Sequence, residues 1–126
     1  MIVGLGVDIV EIDRMRRMLE AQRDPLIRRL FTDAEAQYAL AHVDPAMHLA
    51  ARVAAKEATY KALSGNHLAR AVGWREIEVS LREDGAPYLV LHGRARARAA
   101  ELAVVRSLIS LTHSKTAAVA VVVLEA

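Results

Sequence analysis

The sequence predicts one α+β domain over residues 1–126, with a mainly antiparallel sheet and helices grouped against it around one long central helix. Three observations support this fold class. Alternating segments at both ends predict strands, helical segments fill most of the first half, and no repeat, low-complexity tract or linker divides the chain. A chain of this length buries roughly two thirds of its unfolded surface, so one core is expected.

The first predicted element is a strand at residues 2–9. One side of it is apolar, and the other side carries Gly4, Gly6 and Asp8. Two glycines on one strand face leave room for another backbone or a ligand to approach the aspartate. We therefore expect Asp8 to lie at the end of a strand that another group contacts closely.

Four helices are predicted to follow this strand. Thr32–Glu35 reads as a capping box, and Asp44 followed by Pro45 is typical of a helix start. The predicted helices cover about residues 12–21, 25–30, 32 onward, and 45–63. Ser64, Gly65 and Asn66 end the last of them, and a loop with a short turn is predicted through Gly73.

The second half predicts two antiparallel strand pairs separated by a helix. Strands are predicted at residues 76–82, 88–91, 107–113 and 117–124, and an alanine-rich helix at 93–104. The sequence Glu-Asp-Gly-Ala-Pro forms the first hairpin turn, and Ser114–Thr116 forms the second. The last strand is apolar on both faces, which predicts a central position in the sheet.

Composition limits the possible chemistry. There is no cysteine, so thiolate metal sites and disulfides are excluded, and a reducing compartment is expected. No apolar run approaches the eighteen residues that span a bilayer, so we predict a cytoplasmic protein that does not act in a membrane. The five aromatic residues are too few for a base-stacking nucleic-acid platform, and the histidines lack zinc-ligand spacing.

Ala54–Leu63 is the most informative segment, because charges interrupt an otherwise small and apolar helix. Only three of the seventeen basic residues are lysines, and Lys56 and Lys61 both lie in this segment. Glu57 and Lys61 are four residues apart and share a helix face, which suits a divalent cation beside a phosphate ester. An ordinary helix-stabilising ion pair is the alternative. Lys56 projects differently, and a structural role stays open.

Two further groups could carry chemistry. Asp8 and Glu57 form a possible magnesium pair, since Mg²⁺ uses one or two carboxylates and completes its coordination with water and phosphate oxygens. Two unrelated surface carboxylates are the alternative. Ser110–Ser114 ends a strand with several hydrogen-bonding side chains, which indicates either a ligand-facing edge or a simple turn.

Four motifs together resemble one family. They are Gly-Val-Asp at 6–8, Ala-Ala-Lys-Glu-Ala-x-x-Lys-Ala at 54–62, Asp-Gly-x-Pro at 84–87 and Ser-x-Thr-His-Ser at 110–114. In this order and over nearly the whole chain, they resemble the holo-acyl-carrier-protein synthases, the short 4'-phosphopantetheinyl transferases. The resemblance implies the fold of that family. It also implies transfer of 4'-phosphopantetheine from coenzyme A to a serine of an apo acyl carrier protein, releasing adenosine 3',5'-bisphosphate.

The resemblance also implies roles for particular residues. It implies that Asp8 and Glu57 bind magnesium and that Glu57 and Lys61 are catalytic. Either Glu57 or a metal-bound water would be the base. Coenzyme A binding falls on Arg52, Lys61, Gly65, Pro87, His113 and Ser114. Docking of the carrier protein falls on Arg14, Arg17 and Met18 of a basic first helix. Family members form trimers with active sites between subunits, so a homotrimer is expected.

Two other functions remain compatible with the residues alone. A small basic module that binds an acidic protein or nucleic acid would need no metal, and Glu57 and Lys61 would then be structural. A magnesium-dependent hydrolase of phosphoanhydrides would cleave coenzyme A without any carrier.

The sequence departs from the family pattern at two places. The family often has phenylalanine at the position of Val53 and a glycine-rich turn at residues 64–67. These departures affect the shape of the pocket more than the reaction.

Overall fold

The computed structural model describes residues 1–126 as five strands, five helices and one short 3-10 turn. The strands are β1 (Ile2–Glu11), β2 (Ile77–Leu81), β3 (Pro87–Leu91), β4 (Arg106–His113) and β5 (Ala117–Glu125). The helices are α1 (Ile12–Leu30), α2 (Asp33–Leu40), α3 (Pro45–Ala62), α4 (His67–Arg70) and α5 (Gly93–Glu101), and the 3-10 turn is Trp74–Glu76.

All strand pairs are antiparallel, but they form two sheets. One sheet has the order β1-β5-β4, and the other contains β2 and β3 alone. The central position predicted for the last strand is confirmed, because β5 pairs with both β1 and β4. Its register places Ala120 opposite Asp8 and Ala118 opposite His113. The predicted α+β class is confirmed, with the strands divided between two sheets.

Helix α3 packs directly against β1 because two glycines remove the side chains between them. A Cβ atom at Gly4 would lie 2.2 Å from the carbonyl oxygen of Ala62, and one at Gly6 would lie 1.8 Å from that of Ala58. Real Cβ atoms do not approach backbone oxygens so closely, so only glycine permits this contact. As the sequence indicated, the glycine face of the strand receives another backbone, and this contact places Asp8 beside α3.

The core consists of two clusters, one around the first half of α3 and one around its second half. The first joins α1, α2 and the first half of α3, and Met15, Phe31 and Leu49 are among its buried side chains. The second joins the second half of α3 to both sheets, and it includes Ala58 and Val122. Since α3 contributes to both clusters, its position is determined along its whole length.

Several element boundaries differ from those predicted. Helix α1 continues to Leu30 through a kink at Gln22, where φ is −149° and ψ is 56°, three residues before Pro25. Residues 67–70 form α4 within the predicted loop, and α5 ends at Glu101 because Ala103 adopts a positive φ of 57°. The predicted capping box is present: the Thr32 hydroxyl accepts from the Glu35 backbone N–H, and the Glu35 carboxylate accepts from that of Thr32.

The face of β1 that points away from α3 is apolar and exposed, whereas a strand usually buries its apolar face. Leu5, Val7 and Ile9 are 66%, 55% and 65% exposed, because the glycine face of the strand is the one that α3 covers. Leu108 of β4 and Val121 of β5 extend this apolar surface across the sheet.

None of the helices combines the length and the apolar character needed to cross a membrane.

Candidate active site

Asp8, Glu57 and Lys61 are brought together where the end of β1 meets α3. The Lys61 ammonium donates to Asp8 Oδ1 at 2.9 Å and to the carbonyl oxygen of Val7 at 3.0 Å. Glu57 lies one turn before Lys61 on the same helix face, beside Asp8. The structure therefore gathers one ammonium and two carboxylates from segments about fifty residues apart.

The surroundings of Glu57 disfavour its ionised form. Burial first, and then the neighbouring Asp8 carboxylate, raises the pKa of Glu57 to about 7, although Lys61 and Arg14 act in the opposite direction. The second Asp8 oxygen, Oδ2, is buried and has no hydrogen-bond donor. Without a cation, protonation of Glu57 relieves its repulsion with the neighbouring carboxylate.

This arrangement fits a hard divalent cation. Buried polar atoms are normally paired, and Asp8 Oδ2 has no partner in the chain although Oδ1 accepts from Lys61, so Oδ2 is free to bind a cation. No group of three or more His, Cys, Asp or Glu side chains is placed to hold a metal by itself. Two carboxylates completed by water and phosphate oxygens match the coordination that Mg²⁺ uses with nucleotide substrates.

A pocket of about 400 Å³ opens beside these groups. Glu57 and Lys61 form one side of it, and Tyr60, Trp74 and Ile77 are among the residues that form the rest. Half-buried aromatic and aliphatic surface next to a few charged groups is typical of small-molecule sites. The sequence did not reveal this pocket, because its walls come from α3 and the 3-10 turn and no local pattern links them.

The structure does not bring the remaining predicted coenzyme residues into this pocket. Gly65, with a φ of +131°, follows the end of α3, and Pro87 begins β3. His113 and Ser114 are exposed at the end of β4. None of these four residues lines the pocket within one chain, so their assignment to coenzyme A stays a prediction.

Arg52 belongs to a separate cluster of rings that sequence reasoning missed. Its guanidinium lies 4.5 Å from the centre of the Tyr38 ring, and the rings of His42 and His48 are 4.1 Å apart beside it. Arg52 Nε is buried without an acceptor. Burial is the main cause of a lowered pKa at His48, and the neighbouring His42 and Arg52 add to it.

The predicted docking residues lie on the exposed side of α1. Arg14, Arg17 and Met18 are all exposed, and neither arginine has an ion-pair partner in the chain. By contrast, Arg16 is paired with Asp13 and Asp44. The charge of Arg14 acts on Glu57, so this basic surface reaches the edge of the carboxylate site.

Comparisons with known proteins agree on one family. A family model described as the 4'-phosphopantetheinyl transferase superfamily matches residues 4–122. A holo-[acyl-carrier-protein] synthase of Syntrophotalea carbinolica is 44% identical over 122 residues, which are 97% of this chain and 94% of that protein. A crystal structure of the same enzyme from Neisseria meningitidis has a TM-score of 0.87 at 26% identity, and both chains are covered completely. A holo-(acyl-carrier-protein) synthase from Bacillus anthracis, solved with CoA (3',5'-ADP), has a TM-score of 0.78 at 34% identity over 98% of this chain and 96% of that one.

Proposed function

The chain belongs to the 4'-phosphopantetheinyl transferase superfamily, and from this membership we propose how its own residues perform the reaction of a holo-[acyl-carrier-protein] synthase. The enzyme transfers 4'-phosphopantetheine from coenzyme A to a serine of an apo acyl carrier protein. The observation that carries our account is the convergence of Asp8, Glu57 and Lys61 beside a pocket. One domain, residues 1–126, holds all of these groups, and we place its activity in the cytoplasm.

Asp8 and Glu57 would hold a magnesium ion. The buried, unpartnered Asp8 Oδ2 and the raised pKa of Glu57, which burial and the Asp8 carboxylate cause, support this assignment, because a bound cation would satisfy the first and offset the second. When bound, Mg²⁺ offsets charge on the pyrophosphate oxygens of coenzyme A. We accordingly propose that transfer requires a divalent cation.

Lys61 and Glu57 act on the reacting atoms. The Lys61 ammonium, oriented by Asp8 and the Val7 carbonyl, stabilises negative charge on the transferring phosphate. The serine oxygen forms a bond to phosphorus while the bond from phosphorus to the bridging pyrophosphate oxygen breaks, which releases adenosine 3',5'-bisphosphate. Glu57 is the carboxylate that lines the pocket, so the serine proton leaves toward it and is taken either by Glu57 or by a water molecule beside it.

Coenzyme A would extend from this pocket to a second region. Gly65, Pro87, His113 and Ser114 do not line the pocket of their own chain, but residues of a neighbouring subunit could complete it. The exposed apolar face of Leu5, Val7 and Ile9 is a surface that an assembly would bury. We propose a homotrimer in which Arg52, with His113 and Ser114, meets the nucleotide end of the coenzyme.

The oligomer can be tested by light scattering after size-exclusion chromatography. A Leu5→Glu variant places a charge on the exposed apolar face and is expected to run as a monomer, while the wild-type protein runs as a trimer. A wild-type protein that is monomeric at micromolar concentration would contradict the proposed assembly.

The carrier protein would dock on α1. Arg14, Arg17 and Met18 offer two unpaired positive charges beside an apolar side chain, next to Glu57. An acidic partner surface would be attracted to this face, and more weakly at high salt. Its target serine would then approach the carboxylate site from the α1 side.

One assay tests the reaction. The protein is incubated with an apo acyl carrier protein, coenzyme A and Mg²⁺, and the carrier is weighed by mass spectrometry. A gain equal to one phosphopantetheine group is expected, and it should disappear when Mg²⁺ is chelated or when Asp8 or Glu57 is changed to alanine. No gain with any of several carriers would contradict transfer and favour a binding module. Cleavage of coenzyme A without a carrier would instead indicate a hydrolase.

A further inference from the structure

Lys56 is a buried cation that the reaction does not use. Its side chain is 1% exposed, although it is adjacent in sequence to the catalytic Glu57. The ammonium lies 2.7 Å from a Glu35 oxygen and donates to the carbonyl of Trp74 at 2.9 Å and to that of Ile77. All three of its donor positions are therefore occupied by acceptors from outside α3.

Glu35 is equally buried, and both of its oxygens are used. Oε1 accepts from the Thr32 backbone N–H at 2.9 Å in addition to facing Lys56. Oε2 accepts from the Val79 backbone N–H at 2.9 Å. The capping glutamate of α2 thus also bonds to strand β2, and the ion pair connects α2, α3, β2 and the 3-10 turn.

The segment that this pair fixes is a wall of the active-site pocket. Trp74 and Ile77, whose carbonyls Lys56 binds, line the pocket opposite Glu57 and Lys61. Helix α3 therefore presents the reacting groups, and the preceding lysine, which also lines the pocket, binds the backbone carbonyls of the facing wall. The distance between wall and reacting groups depends on the bonds of Lys56.

Stability does not account for such a pair. Burial lowers the pKa of Lys56 even though Glu35 opposes that shift, which reflects the cost of removing the ammonium from water. Apolar side chains of similar size often replace a buried ion pair without loss of stability. Because this ion pair is costly to bury and apolar side chains could replace it, its presence is better explained by the geometry that its bonds impose than by stability.

We propose that Lys56 and Glu35 are positioning residues that hold the Trp74–Ile77 wall at the distance at which the pocket binds coenzyme A. The inference rests on the proposed function, and it assigns the pair a role in coenzyme affinity rather than in the chemical step. Removing the pair should leave Glu57 and Lys61 in place and loosen only the wall that faces them.

The test uses the full-length double variant Lys56→Met, Glu35→Gln, which removes both charges together. In the carrier-modification assay, KM for coenzyme A should rise about tenfold, as expected for the loss of buried positioning hydrogen bonds, while kcat stays within about twofold. Lys56→Met alone leaves the Glu35 carboxylate unpaired and should lower the melting temperature much further than the double change. The single change should raise KM by at least as much.

Trp74 provides a readout that does not depend on turnover, because it is the only tryptophan in the chain. In the double variant its emission should shift to longer wavelength, and a higher concentration of coenzyme A should be needed to change that emission. Leu124→Ala is the matched control. Leu124 is fully buried in the second core cluster and does not line the pocket. This variant should lower the melting temperature but leave KM and the Trp74 emission unchanged.

Wild-type KM and wild-type emission in the double variant would overturn the proposal. So would equal losses in the double variant and in Leu124→Ala, because the effect would then be one of general stability. If the double variant does not fold, Glu35→Gln alone should raise KM about threefold, and an unchanged KM would overturn the proposal equally. Transfer by the wild-type protein in the same assay tests the proposed function separately.

Discussion

Binding of the divalent cation should compete with a proton at the Asp8–Glu57 pair. Because the metal-free pKa of Glu57 is raised from 4.5 to about 7, this carboxylate is largely protonated at pH 6 and largely ionised at pH 8. For a pKa near 7, the ionised fraction rises from about 0.1 to about 0.9 over this range. Since the metal binds the ionised form, its affinity should rise about tenfold between pH 6 and pH 8.

The same shift determines how the stability of the metal-free protein depends on pH. A carboxylate whose pKa is raised on folding contributes stability that is fully present below pH 4.5 and is lost as pH rises through about 7. The metal-free protein should therefore become less stable over that interval. Added metal should restore stability mainly above pH 7, where the carboxylates are ionised.

A titration with Mn²⁺, in which the free ion is measured by electron paramagnetic resonance, gives the affinity directly and requires no turnover. The wild-type protein should bind Mn²⁺ about tenfold more tightly at pH 8 than at pH 6, and Glu57→Gln should bind weakly at both values. Glu11→Gln removes an exposed carboxylate just beyond Asp8 and should behave as the wild type does. Equal wild-type affinity at the two pH values would refute the argument that the metal and a proton compete at Glu57.

Three further perturbations follow from the geometry. Lys61→Arg keeps the charge but should lower kcat about a hundredfold in steady-state kinetics. The reason is that a guanidinium cannot occupy the ammonium position between Asp8 and the Val7 carbonyl. Gly6→Ala should lower the free energy of unfolding in urea by about 3 kcal/mol or more, since its Cβ would collide with the backbone of α3. Arg14→Ala and Arg17→Ala should each raise KM for the carrier about threefold at low salt, and less at high salt.

Two of these changes have a control within the chain. Gly85→Ala introduces a side chain where φ is +88° and nothing lies within 4 Å, so it should cost only about 1 to 2 kcal/mol from backbone strain. Arg29→Ala removes an exposed charge beyond the kink of α1 and should leave KM for the carrier unchanged. A fully active Lys61→Arg enzyme would contradict the role of Lys61 at the phosphate, and an Arg29 variant as impaired as the Arg14 variant would contradict carrier docking on the first half of α1.

The sequence was sufficient for elements whose signals are local. The apolar faces of β5 predicted its central position, and Thr32 and Glu35 predicted the capping box that the structure contains. The kink in α1 was anticipated as a break before Pro25, although the helix resumes without an intervening loop. Local patterns succeed in these cases because the interactions that decide each feature lie within a few residues of one another.

The candidate site was less predictable because its contacts are long-range. Lys61 meets Asp8 across fifty-three positions, and only the family resemblance suggested that they are neighbours. The second partner of the capping glutamate could not be predicted: Lys56 is twenty-one residues away, and no helical or strand period connects them. Sequence reasoning also left the outer face of β1 unassigned, since alternation identifies an apolar face but not which side of the strand α3 covers.

The contact of Gly4 and Gly6 with α3 also determines how readily the site can unfold locally. Asp8 and Lys61 lie on the two elements that this contact joins; α3 supplies buried residues of the second core cluster, and Val3 and Val10 of β1 pack against that cluster. Local opening is easiest in loops and chain ends and hardest in packed core elements. The carboxylate site should therefore be among the last regions to exchange amide hydrogens, and it should be lost only in global unfolding. Motion during turnover is then left to the bound partners.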